Sequence, residues 1–175
     1  ITSQINPHFL FNSLNVLGSL IETDPEKAAA FTREFARIYR YVLDSNERFV
    51  VSLSEELKFV RSYLFLQQIR FGNNLVVSEH LTSSAAQKFL PPLSLQLLIE
   101  NAIKHNEISA EHPLQIGIDG QADHITVTNN YRPLPKKHEE GGGFGLRNLT
   151  ERYAHYTDRQ PDFRIENGCY RATIP

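Results

Sequence analysis

Apolar residues recur at helical spacing through the first seventy residues. Leu10, Leu14, Leu17 and Ile21 fall three or four positions apart and predict a helix over residues 6–21. Gln4, His8, Asn12, Asn15 and Ser19 form an equally regular polar stripe on that helix, while Phe9, Phe11 and Val16 widen its apolar side. Asp24-Pro25 opens a second helix, because Asp caps free backbone N–H groups and Pro suits the first helical position. Ala28, Phe31, Phe35, Ile38 and Val42 give its inward face, and the pattern fades near Asp44-Ser45-Asn46. Ser52-Leu53-Ser54-Glu55 has the spacing of a capping box and starts a third helix, with Leu53, Leu57, Val60, Leu64 and Phe71 as its stripe.

After Gly72-Asn73-Asn74 the pattern changes. Residues 75–81 read as a strand, and a helix follows Pro91-Pro92 as far as His105. Residues 114–119 and 124–129 read as two strands joined by a turn. A polar loop rich in Pro and Gly covers residues 130–143, and a helix spans 145–156. Residues 162–166 and 169–174 form a hairpin about Asn167-Gly168, a strong turn signal. The expected fold class is α+β, a helical hairpin followed by a two-layer α/β sandwich. The expected division is a hairpin over 1–50 and a second domain over 51–175, with 51–71 as connecting helix. Two helices cannot cover both wide apolar faces of the hairpin, so a homodimer built as a four-helix bundle is expected. An intramolecular helical layer over the second domain is the alternative.

Composition narrows the field. Of 175 residues 41% are hydrophobic, enough for a sizeable core, and the net charge of −2 gives no basic excess that would point to nucleic acid. The single cysteine, Cys169, is expected to be a small buried residue, and its isolation fits a reducing compartment. No apolar run reaches the roughly 20 residues that span a bilayer. The chain begins at Ile1 with its amphipathic pattern already running, so it is expected to be a piece of something longer, with any sensor or membrane segment upstream.

Three segments carry candidate chemistry. The first is Gln4-Ile5-Asn6-Pro7-His8-Phe9-Leu10-Phe11-Asn12. His8 lies on the polar stripe directly after Pro7, where an exposed imidazole keeps a neutral nitrogen near neutral pH. It reads either as a nucleophile or as a solvated surface histidine. The second is Gln96 to Asn106, in which Asn101, Lys104 and His105 share a helical face. An amide oxygen can ligate Mg²⁺ and a lysine can pair with phosphate, though such residues also make an ordinary solvated face. The third is Gly141-Gly142-Gly143-Phe144-Gly145-Leu146-Arg147-Asn148, leading into a helix. Glycines let backbone approach an anion at a helix N-terminus, or simply make a flexible loop. No Gly-Lys-Ser/Thr follows, and no strand stands directly before, so neither a Walker loop nor a Rossmann fingerprint is present.

In combination these segments resemble the LytS/YehU-type sensor histidine kinases, and the resemblance covers nearly the whole chain. Asn6 to Asn12 is similar to their Asn-Pro-His-Phe-Leu-Phe-Asn signature. Tyr63, Leu64, Gln67, Arg70 and Phe71 match a run often found in their helical region. Residues 100–105 resemble their N box, and Gly141 to Asn148 their glycine box, with Arg152 and Tyr153 following. The resemblance implies a Bergerat (GHKL) ATP-binding domain behind a dimerising, histidine-bearing hairpin. It implies autophosphorylation of His8 from Mg·ATP and transfer to an aspartate of a response regulator, of the kind with a LytTR-type output domain. By position Asn101 would hold Mg²⁺. Lys104, His105, Gly141, Gly143, Gly145, Leu146 and Asn148 would lie at the nucleotide, with the 130–143 loop as its lid. The resemblance also implies a cytoplasmic portion of a protein anchored in the bacterial inner membrane.

Two departures stand out. Where relatives carry Asp-x-Gly after the central strand, this chain has Asn129-Asn130-Tyr131. Asn129 is expected to accept a hydrogen bond from the adenine amino group without the charge, or else to cap its strand locally. Directly after His8 stands Phe9 instead of an acidic residue, so Glu100 becomes the candidate proton acceptor. A catalytically weak dimeric scaffold that binds nucleotide poorly is the alternative that the Asn129 departure favours. An ATP-driven conformational protein of the same superfamily would leave His8 after Pro7 unexplained.

Overall fold

The computed structural model describes residues 7–135 and 144–175. Helix α1 (Pro7–Thr23) starts on its proline, and α2 (Pro25–Ser45) follows one residue later. The Asp24 carboxylate accepts from the Lys27 amide at 3.1 Å, so the turn between them is a built N-cap. A short strand β1 (Val51–Ser52) leads into α3 (Leu53–Phe71). The capping box is present there: the Glu55 amide donates to the Ser52 hydroxyl at 3.1 Å, and the Glu55 side chain accepts from the Ser52 amide at 3.4 Å. Strand β2 (Leu75–Leu81), strand β3 (Phe89–Leu90) and helix α4 (Ser94–His105) come next. Strands β4 (Leu114–Gly120) and β5 (Ile125–Asn130), helix α5 (Phe144–Tyr156), and strands β6 (Asp162–Glu166) and β7 (Cys169–Ile174) complete the chain.

The main sheet has the order β2-β4-β5-β7-β6, with β2 parallel to β4 and every other pair antiparallel. One face is apolar. Leu75, Leu114, Ile116, Ile118, Ile125, Val127, Ala172 and Ile174 are all buried there, facing the helical layer with Val60, Leu95, Ile99, Leu149 and Tyr153. This is the expected α+β arrangement, a helical hairpin followed by a two-layer sandwich. Asn167 and Gly168 both take left-handed φ values, 51° and 72°, as a two-residue type I′ hairpin requires. The pairing of β1 with β3 was not legible in the sequence. It places Val51 opposite Leu90 and ties the start of α3 to the approach of α4.

Helix α3 is the central element, packed against both α2 and α4 and buried at ten positions. The core is continuous through it, from Phe31 and Ile38 of α2 to the sheet. Helix α1 is different. Ser13 is its one buried residue among those described. The expected stripe of Leu10, Leu14, Leu17 and Ile21 turns only partly into the core of this chain: Leu10 and Leu17 are half-buried, but Leu14 is 49% and Ile21 59% exposed. Phe9, Val16 and Leu20 pack inward beside Leu17, because the apolar surface of α1 is wider than its neighbours can cover. Cys169 also departs from expectation. It starts β7 at the open end of the sheet and is half-exposed, not buried. No described helix is long and apolar enough to cross a membrane.

Candidate functional site

The site is organised by α4, whose two ends are held differently. Before the helix, Leu93 takes a left-handed conformation at φ 66°, which is unfavourable for a branched side chain. Glu56 of α3 over-determines it. Its carboxylate accepts from the Leu93 amide at 3.2 Å and the Leu95 amide at 3.3 Å, satisfying N–H groups that the helix leaves open. The Tyr41 hydroxyl of α2 donates to the same carboxylate. Glu56 is fully buried, and that burial pushes its carboxyl up to about 7 against the opposing pull of these bonds and of Arg152. Arg152 of α5 itself donates to the Pro92 carbonyl at 2.6 Å. Three helices, α2, α3 and α5, thus converge on the start of α4.

The far half of α4 faces a cleft of about 520 Å³ between the helical hairpin and the sandwich. Its polar lining includes His8 and Asn12 from α1, Gln67 and Arg70 from α3, and Glu100 and Lys104 from α4. His8 is exposed, as the polar stripe of α1 predicts. Glu100 is half-buried and its carboxylate accepts from the Gln96 side-chain amide at 2.8 Å. The cleft floor is closed by Asn106. This buried residue donates to the Ala102 carbonyl at 2.9 Å and accepts from the Arg132 amide at 2.9 Å. Bonds from the Glu107 amide to the Arg132 carbonyl and from the Leu134 amide to the His105 carbonyl strap the next residues down as well. The first residues of the expected lid loop are therefore fixed to the end of α4.

The structure brings His8, Glu100 and Lys104 into one cleft. Asn101 and His105 sit on α4 outside its lining, the first half-buried and the second exposed. Asn129 lies on β5, a strand against which α4 packs, and is 3% exposed. Its amide nitrogen donates to the Asn130 carbonyl at 2.8 Å, which leaves its oxygen as the side-chain acceptor. Gly145 opens α5 against α4: a Cβ there would come within 3.0 Å of Leu97. The glycine thus has a packing reason beside any approach to phosphate. Leu146 is half-buried and Asn148 exposed. Gly141 and Gly143 lie outside the described residues. Among the described residues no cluster of His, Cys, Asp and Glu is placed to hold a metal. The donor set fits a Mg²⁺ bound through Asn101 and mostly by nucleotide phosphates and water, the habit of this ion.

Three participants were missed in the sequence. Glu56 lies three residues after Leu53 and four before Val60, so it belongs to the inward stripe of α3, and an acidic residue on that stripe demands a partner. Gln96 and Glu100 are four apart on one helix, a spacing that allows their bond. Asn106 carried no local signal, because its second partner is distant in sequence.

Residues 1–75 match the histidine kinase family. Over 94% of its length the chain is 31% identical to the sensor protein LytS of Enterococcus faecalis, and over 98% it is 38% identical to the sensor protein LytS of Bacillus cereus. It spans only about a third of either relative, 31% and 32%. A solved structure described as a bacterial phosphotransferase shares the fold, at TM-score 0.51 and 11% identity, covering 95% of this chain and 89% of that one. By sequence the chain belongs to the histidine kinases. Within that class it is of the LytS type.

Proposed function

We propose that this chain is the catalytic core of a sensor histidine kinase, which moves the γ-phosphoryl group of Mg·ATP onto an imidazole nitrogen of His8. The observation that carries the reading is the single cleft lined by His8 from the hairpin and by Glu100 and Lys104 from α4. Phosphoryl transfer asks chiefly for alignment and charge neutralisation. His8 supplies the lone pair. Lys104 neutralises charge on the transferred group, and Glu100 takes the imidazole proton. Mg²⁺, when bound, neutralises phosphate charge, and Asn101 is the residue that would hold it. His105, Gly141, Gly143, Gly145, Leu146 and Asn148 complete the nucleotide site, and Asn129 reads adenine. The hairpin over 1–50 acts as the phosphotransfer unit and residues 51–175 as the ATP-binding unit. The exposed Phe11, Leu14, Ile21 and Leu43 support a homodimer through α1 and α2. A response-regulator aspartate is the next acceptor, and the parent protein is a membrane sensor, as its LytS-type relationship suggests.

Incubation with γ-labelled ATP tests the reading. The label should be acid-labile and base-stable, and His8→Gln should abolish it with ATP binding unchanged. Label that persists in His8→Gln overturns the assignment.

A weakly catalytic dimeric scaffold is the second reading. It is favoured by the uncharged Asn129, whose amide is already engaged with its neighbour. A neutral hydrogen bond contributes about 0.5–1.5 kcal/mol, against about 1.5–3 with a charged partner. Asn129→Asp should therefore tighten ATP binding by roughly tenfold and sharpen preference over GTP. Unchanged affinity in both Asn129→Asp and Asn129→Ala would favour the scaffold.

A further inference from the structure

The residue after His8 is Phe9, in a place where an acid would be convenient, and its packing explains where the acid has gone. The Phe9 ring lies 5.1 Å from the ring of Tyr63 on α3, centroid to centroid, at 33°. Tyr63 is 2% exposed. Burial pushes its hydroxyl up, and the side-chain amides of Gln67 and Gln96 beside it oppose that push. Gln96 is 1% exposed, and its amide nitrogen donates to the Glu100 carboxylate at 2.8 Å. Glu100 in turn lines the cleft that His8 lines. One series of neighbours, buried at Tyr63 and Gln96, therefore runs from the residue beside the nucleophile, through α3, to the carboxylate on α4.

A buried glutamine between a buried tyrosine and a carboxylate has little freedom to turn, and the carboxylate bonded to it is restricted to few rotamers. Glu100 is half-exposed and would otherwise sample several, as long acidic side chains do. Resting on the kinase reading above, we propose that Tyr63 and Gln96 are positioning residues. Together they aim the Glu100 carboxylate into the cleft and set the Phe9 end of α1, so that base and nucleophile are registered against the same side chain. In the transfer step the imidazole lone pair forms the nitrogen–phosphorus bond as the bond from γ-phosphorus to the bridging oxygen of ADP breaks. The second imidazole N–H gives its proton to Glu100.

The test is a set of variants of this chain, assayed for the initial rate of His8 labelling at saturating Mg·ATP and, separately, for ATP affinity by calorimetry. Gln96→Leu should slow labelling at least tenfold with ATP affinity within about twofold of the parent. Tyr63→Phe keeps the ring against Phe9, removes only the hydroxyl, and should slow labelling several-fold. In a Glu100→Gln background neither change should slow the residual rate further, because a group that acts through Glu100 has nothing left to position. Additive losses in that background, or a parallel fall in ATP affinity, would assign both residues a structural role and overturn the proposal. Labelling at the parent rate in Glu100→Gln would overturn it too, with the kinase reading intact. A parent chain that takes no label, or a His8→Gln chain that takes as much, would overturn the kinase reading and the proposal with it.

Discussion

Two glutamates flank α4, and they are treated in opposite ways. Glu56 meets the start of the helix from α3, fully buried, with Tyr41, Leu93 and Leu95 all donating to it and Arg152 nearby. Glu100 sits in the second half of the helix, half-exposed at a cleft, with Gln96 donating to it. Both are oriented, but only Glu100 borders space that a ligand could enter. One end of α4 is an anchor, where strain at Leu93 is held by a saturated acceptor. The other is a working surface, where capacity for new bonds remains. The difference teaches that burial, not residue type, separates an anchoring carboxylate from one suited to proton transfer.

Exchanging the properties of the two ends should show this. The largest effect is expected at the working end. Glu100→Gln should slow His8 labelling by about 100-fold or more, the range of a lost general base. ATP affinity and the denaturant midpoint should stay close to the parent's. A large drop in midpoint instead would make Glu100 a second anchor. At the other end, Glu56→Ala strands two amides, a hydroxyl and the charge of a largely buried arginine. Chemical denaturation should show a loss of about 3–5 kcal/mol, since several buried donors lose their acceptor at about 1–3 kcal/mol each. A loss below about 1 kcal/mol would mean that water enters and replaces the carboxylate. Asn106→Ala should cost less, about 1–3 kcal/mol, because it leaves the part-buried Arg132 amide without its acceptor. Amide hydrogen exchange of residues 131–134 should quicken by at least tenfold. Unchanged exchange would show that the Glu107 and Leu134 bonds hold this strap alone.

The same contrast explains what the sequence made legible. Local chemistry could be read directly: the Asp24-Pro25 cap, the Ser52–Glu55 box and the Asn167-Gly168 turn all formed as their residues dictate. So could the strands, of which β2 and β4 alternate in burial along their length. The polar stripe of α1 also placed His8 at the surface. The leucine stripe misled at Leu14 and Ile21, because periodicity says which residues share a face and not what covers it. The anchor at Glu56 was hidden for another reason. Its partners lie 15, 37 and 39 residues away, and nothing local joins them. Gln96 and Glu100 could have been paired by spacing. The cleft they border forms only when α1 folds back beside α4, a tertiary fact.

The smallest expected effect is the sharpest test of the anchor, and it concerns pH. Burial raises the Glu56 carboxyl from 4.5 to about 7, outweighing the bonds from Tyr41, Leu93 and Leu95 and the charge of Arg152. The folded state therefore holds this proton more tightly than the unfolded state. Below about pH 4.5 both states are protonated and the contribution of Glu56 to stability is fully present. As pH rises towards 7 the unfolded chain ionises first, so the contribution is progressively lost, and above 7 both states are charged and no further change is due to this group. Glu56→Gln removes the titration while keeping the side chain's shape. Measured by urea denaturation at intervals from pH 4.5 to 8, the stability of the parent relative to Glu56→Gln should fall between 4.5 and 7 and level off above. Glu100→Gln is the control, and should leave that slope in place. A parent that instead gains on Glu56→Gln over this range would show that Arg152 and the helix amides hold Glu56 ionised in the fold. The anchor would then be an ion pair, and the contrast between the ends of α4 would rest on geometry alone.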